Sequence, residues 1–165
     1  GDAGVYGMAG IMYELNKDYT NVELEIIPGV TAALSGSSVL GATLSHDFAV
    51  ISLSDLLTPW ELIAKRIECA AMSDMCMSIY NPSSKKRHDY LHRACEIILK
   101  YKNEDTVCGY VKNIGRDGEK YKIMTLKELS YEPTDMFTTV FIGNKDTKVI
   151  NGKMVTPRGY KNISL

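Results

Sequence analysis

Apolar residues along this chain switch repeatedly between a helical and a strand-like period. After a small-residue opening, Gly1-Asp2-Ala3-Gly4, the residues Val5, Met8, Ile11, Met12 and Leu15 recur at helical spacing, so 1–16 reads as a loop running into a helix. Residues 22–27 (VELEII) read as a strand, broken by Pro28-Gly29. The stretch 31–42 is rich in small residues and predicts a helix packed closely against a neighbour. Residues 48–53 predict a second strand, and 59–72 a helix in which Trp60, Ile63, Ile67 and Ala71 share one face. Thr58 is placed to cap that helix, with Pro59 as its first residue. A buried strand over 75–80 and a loop at Asn81-Pro82-Ser83-Ser84 follow. Leu91, Ala94, Cys95, Ile98 and Leu99 then mark a helix within 86–101. Strands are predicted at 106–112, 120–125 and 138–142, a turn over 113–118, and a short helix capped by Thr125 at 125–129. Asn151-Gly152 centres a hairpin over 148–155.

Strands alternating with helices predict an α/β fold with a largely parallel sheet. From residue 138 onward strand follows strand, and an antiparallel edge there would make the sheet mixed. A seam falls near His46-Asp47, where the rhythm restarts. At 165 residues, 45% of them apolar and 24% charged, the chain can build a core, as one large domain or two small ones.

The net charge of −1 supplies no global field for nucleic acid or an anionic membrane, so an acidic partner must meet a local basic cluster. Cys69, Cys76, Cys95 and Cys108 form no CxxC pair and suit reduced thiols of a cytosolic protein. With His46, His88 and His92 they make no metal-binding pattern. No membrane span or signal peptide is legible.

Three loops carry candidate chemistry, because α/β sheets bind ligands where strands end and helices begin. Gly1 to Gly7 offers glycine backbone and an aspartate able to accept hydrogen bonds from a ribose or an amine. Pro28-Gly29-Val30-Thr31-Ala32-Ala33 offers a hydroxyl and free backbone N–H groups. Tyr80 to His88 gathers an aromatic ring, an amide, two hydroxyls and the cations Lys85, Lys86 and Arg87. By spacing alone each is also an ordinary turn or a solvated helix start. There is no Walker loop, GxGxxG fingerprint or nucleophile elbow.

Taken in order, GDAGVYGMAG (1–10), PGVTAALSGSSVLGATLSHDF (28–48), SLSDLLTPW (52–60) and IYNPSSKKR (79–87) resemble the precorrin-3B methyltransferases of cobalamin synthesis. GYVKNIGRDGE (109–119) and TTVFIGN (138–144) agree with the same family, a branch of the tetrapyrrole methylases. Ala3, where the wider superfamily commonly has proline, favours this branch.

The resemblance implies methylation of ring carbon 17 with ring contraction, using S-adenosylmethionine and releasing S-adenosylhomocysteine. It implies two α/β domains with mixed, largely parallel sheets, the cofactor between them, and a cytoplasmic homodimer acting on a precorrin. Family members carry a strand and a glycine-rich loop ahead of the first motif. Residues 1–45 are therefore expected to be the remainder of the N-terminal domain, and 46–165 the C-terminal domain.

Carried over motif by motif, the expected cofactor positions are Asp2, Val5, Tyr6, Thr31, Ala32, Tyr80, Asn81, Val111, Lys112, Thr138 and Thr139. Lys85, Lys86, Arg87, Arg116 and Arg158 are the candidates for the substrate's carboxylates. Another superfamily member, or a truncated non-catalytic module, stays open as an alternative. Methyl transfer from a sulfonium is an in-line displacement that asks mainly for positioning and exclusion of water. No single catalytic base is expected.

Overall fold

The computed structural model describes residues 1–19, 21–84 and 86–160. Its elements in order are α1 (Ala9–Asn16), α2 (Ala32–Leu40), β1 (Gly41–Ala42), β2 (Phe48–Ser52), α3 (Trp60–Met72), β3 (Cys76–Tyr80) and α4 (Tyr90–Ile98). They continue with β4 (Val107–Lys112), β5 (Lys120–Thr125), α5 (Leu126–Leu129), β6 (Thr138–Ile142), β7 (Lys148–Ile150) and β8 (Lys153–Val155).

Five strands form one sheet in the order β2-β3-β6-β4-β5. The fold is α/β with mixed sheets, as expected, but parallel pairing is scarcer than the alternation suggested. Within this sheet only β2–β3 is parallel, while β3–β6, β6–β4 and β4–β5 are antiparallel. The reason is β6: it returns from the chain's last third and inserts between β3 and β4, opposing both. Because β6 is central, all five of its residues are buried.

Alternation along the strands sends side chains to two cores. Val140 and Ile142 join Met77, Ile79 and Cys108 beneath α3, α4 and α5, in the larger cluster. Helix α3 buries Ile63, Ile67, Ala70 and Ala71, and α4 buries Leu91, Ala94, Cys95 and Ile98. On the other face Phe141 and Val111 meet Leu40 of α2 and Met154 of β8. Helix α2 lies close because Gly36 has no side chain: a Cβ there would sit 2.6 Å from Phe141 Cζ. A small second sheet, β1-β8-β7, joins residues 41–42 to the terminal hairpin. That hairpin turns at Asn151 and Gly152, both at positive φ (49° and 74°), as a type I′ turn requires. Thr125 and Glu128 complete the capping box of α5.

Two local expectations fail. Residues 22–27 form no strand: among the described residues no neighbour offers a ladder, and Val22 and Ile27 lie exposed. An apolar run becomes a strand only where its N–H and C=O groups find partners. Pro59 caps α3 from an extended conformation (φ −62°, ψ 147°) instead of being its first helical residue, and Thr58 gives no capping hydrogen bond.

Candidate functional site

The strand directions bring one edge of the sheet together. β2 and β3 end at Ser52 and Tyr80, β4 ends at Lys112, and antiparallel β6 begins beside it, with Lys112 opposite Thr138. Motifs scattered over the sequence therefore meet at a single edge, for topological reasons alone.

A cavity of about 230 Å³ opens there, lined by Ala32, Tyr80, Asn81, Asn113, Ile114, Arg116, Met136, Phe137, Thr138 and Thr139. Amides, hydroxyls and an apolar wall are all present, the mixed lining of a small-molecule pocket. Asn81 and Asn113 take positive φ (51° and 54°), which turns the chain sharply as it leaves β3 and β4. Asparagine tolerates this conformation better than most residues.

The other motifs are wired to this wall. The Tyr80 hydroxyl accepts from Ala33 N at 2.7 Å and lies 2.5 Å from Thr31 Oγ1. It thereby caps the N-terminus of α2, which Thr31's own side chain leaves uncapped. The Tyr6 ring lies 5.6 Å from that of Tyr80. Its hydroxyl accepts from Ser52 N (3.1 Å) and donates to Val50 O (3.3 Å), so a side chain supplies the pairing that edge strand β2 lacks. Tyr6 itself is held at φ 50°, an uncommon state for a bulky residue. Asp2 accepts from Gly29 N (2.9 Å) and Gly4 N (2.7 Å), joining the first two motifs. Those N–H groups, Gly29's foremost, hold its carboxyl below the usual range.

The expected cofactor positions thus fall into three groups. Ala32, Tyr80, Asn81, Thr138 and Thr139 line the cavity. Asp2, Tyr6 and Thr31 are joined through hydrogen bonds and ring contact to one another's motifs, and Val5 lies half-buried in the same first loop. Val111 is buried in the core beneath, and Lys112 pairs with Asp135 at 2.6 Å; both stand opposite the cavity threonines in register.

The basic candidates do not form one cluster. Arg116 lines the cavity and Lys86 is exposed. Arg87 is mostly enclosed, its Nε donating to Ser84 Oγ (3.1 Å) and its Nη1 lying 3.5 Å from both Asp55 Oδ1 and Leu53 O. Arg158 lies at the opposite end of β2, in a hollow with Leu44, Ser45, His46 and Asp47. Lys85 lies outside the described residues.

Asn113, Ile114, Met136 and Phe137 are cavity residues that the loop-by-loop reading left out. The signal for the last pair is an apolar dipeptide directly ahead of a strong strand. Among the described residues no group of three or more His, Cys, Asp or Glu side chains converges to hold a metal. No helix among them is long and apolar enough to cross a membrane.

Residues 1–130 match the family model of the tetrapyrrole (corrin/porphyrin) methylases. The chain belongs to that family. It is 48% identical over 161 residues to a probable cobalt-factor III C(17)-methyltransferase of Salmonella typhimurium, covering 97% of this chain and 67% of that one. Its fold superposes on the crystal structure of the methyltransferase CobJ with a TM-score of 0.87 and 32% identity, over 95% of this chain and 67% of that one. The uroporphyrin-III C-methyltransferase of Thermus thermophilus, solved with S-adenosylhomocysteine, shares the fold at a TM-score of 0.65 and 20% identity, over 87% of this chain and 60% of that one. This tetrapyrrole methylase is accordingly a methyltransferase, and the edge cavity is where its separate motifs converge.

Proposed function

We propose that this methylase transfers the S-adenosylmethionine methyl group to ring carbon 17 of cobalt-factor III or of precorrin-3B, with ring contraction, in cobalamin synthesis. The observation that carries the reading is the convergence of Ala32, Tyr80, Asn81, Asn113, Thr138 and Thr139 on one cavity. Its volume, about 230 Å³, suits one end of the cofactor better than the whole. Asn81, Asn113 and the two threonines supply polar partners for an adenosine, and Ile114, Met136 and Phe137 an apolar wall. In this reading the Gly29–Thr31 turn, tied to the cavity wall through Tyr80, receives the remainder.

The bound cofactor supplies an already activated methyl on a sulfonium. The protein's part is to orient donor and ring carbon and to exclude water. Tyr80 positions the α2 N-terminus, and Asp2 fixes the distance between the first two motifs. In this reading residues 1–45 are the remainder of an N-terminal domain and 46–165 the C-terminal one, and the enzyme is a cytoplasmic homodimer.

Calorimetric titration with S-adenosylhomocysteine, followed by mass analysis of the product from each tetrapyrrole, tests it. Micromolar cofactor binding with one methyl added at carbon 17 is the expected result. Methylation at another carbon would assign a different member of the superfamily. No cofactor binding would remove the edge cavity as the cofactor site.

A further inference from the structure

The two most exposed large apolar side chains among the described residues are neighbours: Leu56 is 82% and Leu57 96% exposed. They form the tip of the loop 53–58, between β2 and α3. Two such adjacent side chains held out into water leave apolar surface that an apolar partner would cover.

The base of this loop is firmly tied. Leu53 is fully buried, and its N–H donates to Tyr80 O at 2.9 Å. Ser54 N donates to Ser52 Oγ (3.2 Å), which also accepts from Asn81 Nδ2 at 2.9 Å. Asn81 is itself a wall of the cavity, so the loop shares a hydrogen bond with the candidate cofactor site. On the far side the Asp55 carboxylate accepts from the Tyr90 hydroxyl at 2.6 Å. Arg87 reaches across both, lying 3.5 Å from Asp55 Oδ1 and 3.5 Å from Leu53 O. A charged brace thus holds up an apolar tip.

We propose that loop 53–58 is the ledge on which the tetrapyrrole lies, with Leu56 and Leu57 against the flat ring and Arg87 bracing the loop from beneath. This rests on the reading of the protein as a tetrapyrrole methyltransferase. The ring chemistry suits the surface: its faces are broad and apolar, and its carboxylates lie on the rim, where exposed Lys86 stands beside the brace. The same contact would place a ring carbon next to Tyr80 and Asn81, at the edge where the methyl donor is proposed to sit. In this view Arg87 is a positioning residue, its guanidinium engaged by the loop and not by the substrate.

Trp60 is the chain's single tryptophan and follows the loop directly, so quenching of its emission by the absorbing macrocycle reads binding. The experiment titrates cobalt-factor III into the parent protein, L56S/L57S, R87Q and the combined variant, with calorimetry of S-adenosylhomocysteine alongside. Both leucines are exposed, so L56S/L57S should keep the parent's thermal midpoint, and M72S serves as an exposed apolar control elsewhere.

The expected result is a tetrapyrrole Kd weakened about tenfold or more in L56S/L57S, with the cofactor Kd unchanged. R87Q should weaken the parent several-fold, yet add little to L56S/L57S, because both act through the same loop. An unchanged tetrapyrrole Kd in L56S/L57S overturns the ledge. So does a change confined to the sedimentation mass, which would show that the leucines cover a second copy of the chain. Full additivity of R87Q would overturn the brace and return Arg87 to direct carboxylate binding. A parent that binds the cofactor but not cobalt-factor III defeats the substrate reading itself, a result distinct from a parent that binds it with the leucines irrelevant.

Discussion

Residues 1–30 and the body from β2 to β6 are both rich in apolar side chains, yet they use them differently. Among the described residues of the first thirty, Ala9 alone is buried, while Met8, Ile11, Tyr13, Leu15, Tyr19 and Ile27 are each more than half exposed. In the body, side chains of α3, α4 and five strands interlock, and Ile63, Ile67, Met77 and Ile79 are almost wholly enclosed. The same helical period therefore occurs in α1 with its apolar side chains exposed and in α3 with a packed apolar face. A periodic pattern states which residues are able to be buried; only a partner surface buries them.

The sharpest way to break this contrast is a pair of matched truncations. Ile67→Ala should destabilise by about 2–5 kcal/mol, whereas Ile11→Ala should stay within about 0.5 kcal/mol, as urea melts would show. Equal losses would mean that α1 is as tightly packed as α3. Gly36→Ala probes the contact between α2 and the sheet. Its new methyl meets the Phe141 ring, and a cost of roughly 1–3 kcal/mol is expected from the same melts.

Tyr80→Phe keeps the ring but removes the hydroxyl shared with Thr31 and Ala33. About 1 kcal/mol of stability should be lost, together with a several-fold weaker S-adenosylhomocysteine Kd by calorimetry. If the Kd does not move, the Tyr80 hydroxyl serves only to join α2 to the sheet.

Acid offers the gentlest test. Asp2, Asp55 and Glu128 are held below the usual carboxylate range, chiefly by the Gly29 N–H, the Tyr90 hydroxyl and the Thr125 N–H respectively. Each of them takes up its proton more readily in the unfolded chain. Their contribution is therefore complete above the ordinary carboxylate values and is lost as pH falls through the lower folded ones, below about pH 4. Thermal midpoints measured between pH 6 and pH 3 should fall over that window, and fall less in Asp55→Asn. The cysteines add a labelling check. Burial pushes the Cys95 thiol up to about 12 and the Cys108 thiol well above its usual value, so exposed Cys69 should react first with a thiol reagent.

Much of this was legible in advance where local chemistry decides. The Asn151-Gly152 hairpin, the Thr125 cap and the faces of α3 and α4 follow from turn chemistry and a 3.6-residue period. Residues 22–27 were misread because a strand is a pairing, and pairing is non-local. The candidate site divided in the same way. Ala32, Tyr80, Asn81, Thr138 and Thr139 were read from motifs and do share a cavity. Arg87 and Arg158 are grouped with the other basic residues as candidates for the substrate's carboxylates, but one lies against Asp55 and Leu53 and the other stands at the far end of β2.

By itself, then, the amino-acid sequence determined the family, the order of most helices and strands, and which side chains carry usable chemistry. Those properties reside in local residue order and in long motifs. Tertiary structure alone decided that β6 enters between β3 and β4, and so which strand ends meet. It also decided whether each cation faces water or a neighbour. Both outcomes depend on contacts between residues far apart in the chain, and no local pattern records where the partner will be.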